Sequence, residues 1–359
     1  MRPACSSGLG IDRASARCLH FAIVMERVVV ITGGTAGVGR ATARRFARAG
    51  AAVAVLARGQ DGLDATERDI ERLGARGLAI AADVADAAQV AAAADRVERE
   101  LGPIDVWINN AMTTAVGPVE AITPEEFARV TSVCYLGFVW GTQAALARMR
   151  PRNRGTIIQV GSALSYRSIP LQAPYCAAKH AIRGFTDSLR SELLHDRVAI
   201  ELCMVQLPAV NTPQFGWCRN KTGHEVQPVP PIFQPEIIAD ALYGVSLRPR
   251  REVYLGWSSI KAIVGNKLAP GYADHYLASH GYSGQLLAAP EPDHADNLFA
   301  PVAGDAGAHG TFDRRARSRD AIARAATVLG AAGTQLAIAA IAGVAAAALV
   351  LGVRALASR

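Results

Sequence analysis

Short apolar runs alternate with longer amphipathic stretches along most of the chain. From residue 27 the pattern reads RVVVIT (27–32), AGVGRATARRFARAG (36–50) and AAVAVLAR (51–58), followed by a polar stretch of helical period to residue 73. It continues through GLAIAADV (77–84), an alanine-rich segment at 86–101, PIDVWINN (103–110), a long segment opening at TPEEF (123–127), GTIIQVGS (155–162), the stretch after Pro174, and VAIELCMVQ (198–206). Apolar runs without polar alternation suit strands covered on both faces, and their regular exchange with helical segments predicts an α/β fold, a doubly wound parallel sheet with helices on both sides. A helix at 235–247 and a strand at 252–255 are expected to close the sheet. One helix start is signed in full: Thr123 as N-cap, Pro124 in the first helical position and Glu126 completing a capping box.

The two ends depart from this pattern. Residues 1–25 are mixed and polar with one short apolar run, and read as a leader outside the fold, too poorly flanked for a secretory signal. The regular domain is expected at 26–256, and a Gly-, Pro- and Ala-rich irregular extension at 257–324. From Ala325 to Val353 no charged residue occurs for 29 positions, enough for a transmembrane tail helix, which needs about 20 apolar residues. A buried or self-associating helix is the competing reading, because alanine, glycines including Gly330, Gly333 and Gly343, and Gln335 dilute the run. Five arginines (314, 315, 317, 319 and 324) precede it and only Arg354 and Arg359 follow, which would keep the large domain on the cytoplasmic face of a membrane.

Composition narrows the chemistry. The net charge of +7 is scattered, with no basic stripe interleaved with aromatic residues, so nucleic acid is not an expected partner. Six cysteines show no CxxC spacing, and the irregular spacing of Asp293, His294, Asp296, Asp305 and His309 argues against a metal site.

Gly33, Gly37 and Gly39 lie where the first strand runs into a helix. Glycines there allow a tight turn and let backbone N–H groups and the helix N-terminus approach a pyrophosphate. The second strand ends at Ala57 and Arg58 without the carboxylate that would hold the adenosine ribose of NAD, so Arg58 favours NADP, with NAD as the alternative and a solvated surface arginine as the plain reading. Asp83 ends the third strand where it can accept from an adenine amino group, and Asn110 and Ala111 end the fourth. Ser162 stands at the carboxyl end of GTIIQVGS, and Tyr175 and Lys179 share one helical face four positions apart. A lysine ammonium beside a phenol would lower its ordinary pKa of about 10, making Tyr175 a proton carrier while Ser162 donates to a carbonyl oxygen.

These motifs, in this order, resemble the shorter form of the short-chain dehydrogenases/reductases: TGGTAGVG its TGxxxGxG turn, NNA at 109–111 its NNAG, and YCAAK at 175–179 its YxxxK. The resemblance covers roughly 26–255. It implies a Rossmann-type NADP-binding domain in which Gly33, Thr35, Gly37, Val38 and Gly39 hold the pyrophosphate, Asp83 and Val84 contact adenine, Asn110 and Ala111 lie near the ribose, and Val210 and Thr212 meet the nicotinamide carboxamide. Ser162, Tyr175 and Lys179 become the catalytic set, with Lys179 also bonding the nicotinamide ribose, and a homo-oligomer is implied. Three positions depart from the pattern: Met112 replaces a glycine, Leu207-Pro208 replaces Pro-Gly, and Cys134 replaces an asparagine held to support a proton-relay water.

The expected activity is interconversion of a secondary alcohol and a ketone or aldehyde by hydride transfer. A catalytically weak NADP-binding sensor on the same fold is the alternative that the three departures raise. The apolar, proline-rich loop at 208–235, with Phe215, Trp217, Val226, Val229, Ile232 and Phe233, points to a lipophilic small-molecule substrate.

Overall fold

The computed structural model describes residues 26–330 and Gly333. Seven strands form one parallel sheet: β1 (Val28–Thr32), β2 (Ala52–Ala57), β3 (Gly77–Ala81), β4 (Ile104–Asn109), β5 (Gly155–Ser162), β6 (Ile200–Leu207) and β7 (Glu252–Tyr254). Their spatial order is β3-β2-β1-β4-β5-β6-β7, so the chain reverses direction between β1 and β4. That reversal opens a crevice at the carboxyl ends of the strands, where ligands of such sheets bind.

Successive residues of β1 explain the uninterrupted apolar runs. Val28 and Val30 pack on one face with Val90, Ala145 and Leu189, while Val29 and Ile31 pack on the other with Phe46, Ile70 and Leu242. The first face is covered by α3 (Ala87–Glu100), α5 (Gly137–Met149) and α6 (Ala173–His195), and the second by α1 (Gly37–Ala47), α2 (Gln60–Arg72) and α7 (Pro235–Leu247). Each fully buried Val, Ile or Leu contributes about 1.5–3 kcal/mol relative to exposure, so neither face tolerates a polar alternation.

The capping box at Thr123 forms as expected. Glu126 N–H donates to Thr123 Oγ1 at 3.3 Å, and Thr123 N–H donates to Glu126 Oε2 at 2.9 Å. It starts α4 (Pro124–Thr131), which continues through a π-helical turn at Ser132–Leu136 into α5. Taken together, Pro124–Arg152 is the one helix among the described residues long and apolar enough to cross a membrane, but half of its most apolar stretch is buried within the domain.

The segment after β7 is more regular than its composition suggests. It forms α8 (Gly256–Leu268) and α9 (Pro270–His280), whose apolar residues are not gathered on one face, which hides them from a periodicity reading. Leu286–Pro290 then pairs antiparallel with His224–Val226, and Ala316–Arg317 joins Ile232–Phe233. The extension is thus laced into the loop after β6. A last described helix, α10 (Ala321–Gly330), buries Ala323 and Ala326 against α7. The transmembrane tail expected at 325–353 therefore begins as a docked helix, and apart from Gly333 its residues from 331 on, like the leader at 1–25, lie outside the described residues.

Candidate active site

At the crevice lies a cavity of about 490 Å³. All the site residues expected from sequence line it except Gly39: Gly33, Thr35, Gly37 and Val38 from the β1–α1 turn, Arg58, Asp83 and Val84 from the ends of β2 and β3, Asn110 and Ala111 after β4, Ser162, Tyr175 and Lys179, and Val210 and Thr212 after β6.

The glycine turn takes its shape from φ of +64° at Gly33 and +54° at Gly37, a region that disfavours any side chain. A Cβ on Gly39 would lie 2.1 Å from the Gly33 carbonyl oxygen, so Gly39 serves the close approach of α1 to the turn instead of facing the cavity. Asn110 pins the same turn: its amide donates to the carbonyls of Thr32 and Gly33, both at 3.1 Å. Thr32 Oγ1 accepts from the backbone N–H groups of Asn110 and Ala111, which ties β1 to the end of β4. Neighbouring Asn109 is wholly buried and bonds Trp107, Thr142 and Gln159, holding the sheet.

At the far end, Asp83 accepts from the Arg129 guanidinium at 2.6 Å and from Ala85 N–H at 3.0 Å. Arg58 donates to the carbonyls of Asn297, Leu298 and Phe299. Burial, with Arg129 nearby, lowers its pKa from the ordinary guanidinium value. The carbonyl partners come from the extension, which sequence reading placed outside the site. Arg129 was missed for the same reason: it lies on α4, 46 positions from the aspartate it meets.

At the chemical end, Ser162 and Tyr175 line the cavity together; the Ser162 hydroxyl accepts from Leu164 N–H at 3.1 Å, and its closeness to the Tyr175 phenol acts to lower the phenol pKa. The Lys179 ammonium donates to the Val160 carbonyl at 2.7 Å and sits 5.4 Å from the Tyr175 ring centre and 4.7 Å from that of Phe138. The expected lowering of the phenol pKa does not occur in this arrangement. Burial, with lesser effects from Cys134 and Cys176, pushes Tyr175 well above its usual value, and burial also brings Lys179 down to about 8. Desolvation is the largest effect on both groups, leaving a neutral phenol whose hydroxyl can donate to an incoming oxygen.

Cys134 lies in the π turn and is fully buried. Its thiol donates to the Thr113 carbonyl at 3.0 Å and its sulfur accepts from Thr113 N–H at 3.3 Å, so it fastens the helix to the segment after β4. Burial raises its pKa, keeping it a thiol.

The cavity that Tyr175 lines also carries apolar Leu164, Ile169, Phe215, Trp217, Val229 and Leu277. Of the six apolar loop residues singled out in the sequence, Phe215, Trp217 and Val229 face the cavity, whereas Val226, Ile232 and Phe233 are buried in the body of the protein. The acidic and imidazole groups of the extension disperse to separate partners: Asp296 to Arg219, Asp305 to Arg40, His294 to Glu291 and His309 to Glu236. Among the described residues no three His, Cys, Asp or Glu side chains gather as a metal site would require.

A positive-φ glycine turn at a helix start, an apolar shelf of Val84 and Ala111, and an aspartate beside that shelf fit a dinucleotide in shape and donor set. Residues 27–221 match the short chain dehydrogenase family. The uncharacterized oxidoreductase YxnA of Bacillus subtilis is 30% identical over 273 residues, 74% of this chain and 75% of its own. A 17-beta-hydroxysteroid dehydrogenase 13 of Mus musculus is 28% identical over 73% of this chain and 83% of its own, and a levodione reductase of Leifsonia aquatica is 35% identical over 52% and 71%. Among solved structures, an alcohol dehydrogenase from Thermococcus sibiricus complexed with 5-hydroxy-NADP superposes with a TM-score of 0.56 at 26% identity, covering 64% of this chain and 96% of that one.

Proposed function

This chain belongs to the short-chain dehydrogenases/reductases, and on that premise we propose that it is an NADP(H)-dependent oxidoreductase interconverting a lipophilic secondary alcohol and its ketone. The observation that carries the reading is that Ser162, Tyr175 and Lys179 line one cavity with the glycine turn, the Lys179 ammonium lying 5.4 Å from the Tyr175 ring centre. A bound nicotinamide supplies or accepts the hydride. In the reductive direction, Ser162 and Tyr175 donate hydrogen bonds to the substrate oxygen and the phenol delivers its proton. Lys179, positive below about pH 8, favours the phenolate left behind.

NADP preference is supported by Arg58 at the end of β2, by Arg129 beside it, and by the absence of a carboxylate at 57–60. Gly33, Thr35, Gly37 and Val38 would cradle the pyrophosphate, with Val210 and Thr212 at the carboxamide. The apolar residues that line the cavity, Phe215, Trp217 and Leu277 among them, support a lipophilic substrate.

The test is NADPH oxidation with a panel of ketones and aldehydes. Tyr175→Phe should lower kcat by about 10²–10⁴-fold, the share of one positioned proton donor, with NADPH binding preserved. Tight NADPH binding without turnover of any carbonyl would remove the enzyme reading. Arg58→Asp should shift the ratio of kcat/KM values towards NADH, and an unchanged ratio would remove Arg58 from cofactor selection.

A further inference from the structure

Resting on the dinucleotide site proposed above, we infer that residues 297–313 of the extension form a strap that roofs the bound cofactor and sets its rate of release. Asn297, Pro301, Val302, Gly304 and Ala306 line the same cavity as the glycine turn and Asp83. The matched family region ends at residue 221, so this roof lies beyond it.

The strap is fastened along the rim where the adenosine and pyrophosphate would lie. Leu298 is fully buried in the core cluster that contains Val84 and Ala111, which anchors its start. The Leu298 carbonyl accepts from Arg58 and, at 3.0 Å, from Arg129. Gly304 N–H donates to Asp61 at 2.7 Å, and Asp305 pairs with the buried Arg40 at 3.2 Å. Gly37 N–H, at the start of α1, donates to the Gly307 carbonyl at 3.1 Å. The far end is held by Asn211, whose Oδ1 accepts from Phe312 N–H at 3.1 Å.

These contacts fasten the strap along the crevice, while the cavity it helps to line keeps about 490 Å³ open as a whole, within the range of roughly 300–1,000 Å³ usual for ligand pockets. The strap so placed roofs the dinucleotide, and the one cradle donor it holds, the Gly37 N–H, passes from the Gly307 carbonyl to the pyrophosphate when the cofactor enters. A cofactor under it leaves only when the Asp61 and Asp305 contacts part. Arg40 remains paired with Asp69 at 2.8 Å when Asp305 is lost, so that latch can be cut without stranding a buried charge.

The experiment uses the full chain loaded with NADPH. Release is followed by stopped-flow loss of tryptophan-to-NADPH energy transfer on mixing with excess NADP⁺, and Kd is measured separately by titration. Asp305→Ala combined with Asp61→Ala should release NADPH about tenfold faster and raise Kd, the size expected for ion-pair and hydrogen-bond contacts at a partly exposed rim. Asp305→Asn, which keeps the side-chain volume, should show a smaller acceleration in the same direction. Unchanged release in both variants overturns the roof and leaves the dinucleotide site standing. Faster association with tighter equilibrium binding also overturns it, since that is the behaviour of a strap that competes with the cofactor. Failure of the parent protein to bind NADPH removes the proposed function, and the roof with it.

Discussion

Lys179 and Tyr175 show how burial changes the meaning of a motif that is easy to read in sequence. The spacing places both on one face of α6, but the ammonium turns to the Val160 carbonyl, and desolvation dominates both groups. Because the Lys179 pKa falls to about 8, the positive charge behind the phenol is present below that pH and fades above it. Ketone reduction should therefore lose kcat as pH rises through about 8, while the phenol itself stays protonated. Lys179→Met should be slow throughout and lack that limb, and a parent rate that is flat from pH 7 to 10 would contradict the assignment. The same shift acts on stability with a definite sign. Between about pH 8 and the ordinary lysine value of 10.5 the unfolded chain holds the proton that the folded chain has lost, so this group makes stability rise with pH across that window. Comparing urea midpoints of the parent and Lys179→Met across it checks the direction. The convergence of Ser162, Tyr175, Lys179 and the glycine turn on one cavity was legible because it follows from residue type at fixed spacing. The two arginines were less so, since only the fold shows that Arg58 and Arg129 face a common carbonyl.

Among the elements, the β-strands were legible from apolar runs because both faces of the sheet are covered, whereas α8 and α9 were not because their apolar residues do not share a face. The helix from Pro124 to Arg152 was visible from its cap, but not its π turn, which places Cys134 against the main chain of Thr113. A π turn adds a residue to the helical repeat and so rotates the next turns of the helix, a local adjustment without a propensity signature. The cap itself does more than the sequence suggested. Glu126 is 3% exposed and meets Arg219 at 2.9 Å and Lys221 at 2.8 Å, besides closing the capping box. Thr123→Ala removes only the cap acceptor and should cost about 1 kcal/mol. Glu126→Ala removes a cap bond together with the carboxylate shared by Arg219 and Lys221, which keep Asp296 and the Ala121 carbonyl, and should cost more than Thr123→Ala, about 2 kcal/mol. Equal losses in urea unfolding would show that the two cations contribute nothing beyond the cap.

On the scale of the whole molecule, the extension is where sequence reading ran out, and the reason is contact distance. Gly304 meets Asp61 across 243 positions and Asp305 meets Arg40 across 265, through single side chains and carbonyls that leave no periodic trace. The same holds for α10, which the uncharged run from Ala325 partly conceals. Ala323 and Ala326 are buried against Ile238 and Leu242 of α7, and a Cβ on Gly244 would come within 2.9 Å of Thr327 Cγ2. The first turns of the apolar run thus belong to the domain, and 23 uncharged residues (331–353) remain after Gly330, enough for a hydrocarbon core that requires about 20. If those residues insert, the short path from the docked α10 to the membrane would hold the catalytic domain close to the bilayer surface, where lipophilic alcohols and ketones partition. The position of a truncation separates anchoring from folding. The full chain should stay in carbonate-washed membranes, and a chain ending at Gly330 should be released with its urea midpoint and NADPH affinity intact. A chain ending at Arg319 should also be released, but with lower stability, because removing α10 uncovers the Ile238 and Leu242 surface. Release of the full chain by carbonate would remove the anchor, and equal stability of the two truncated chains would remove the structural role of α10.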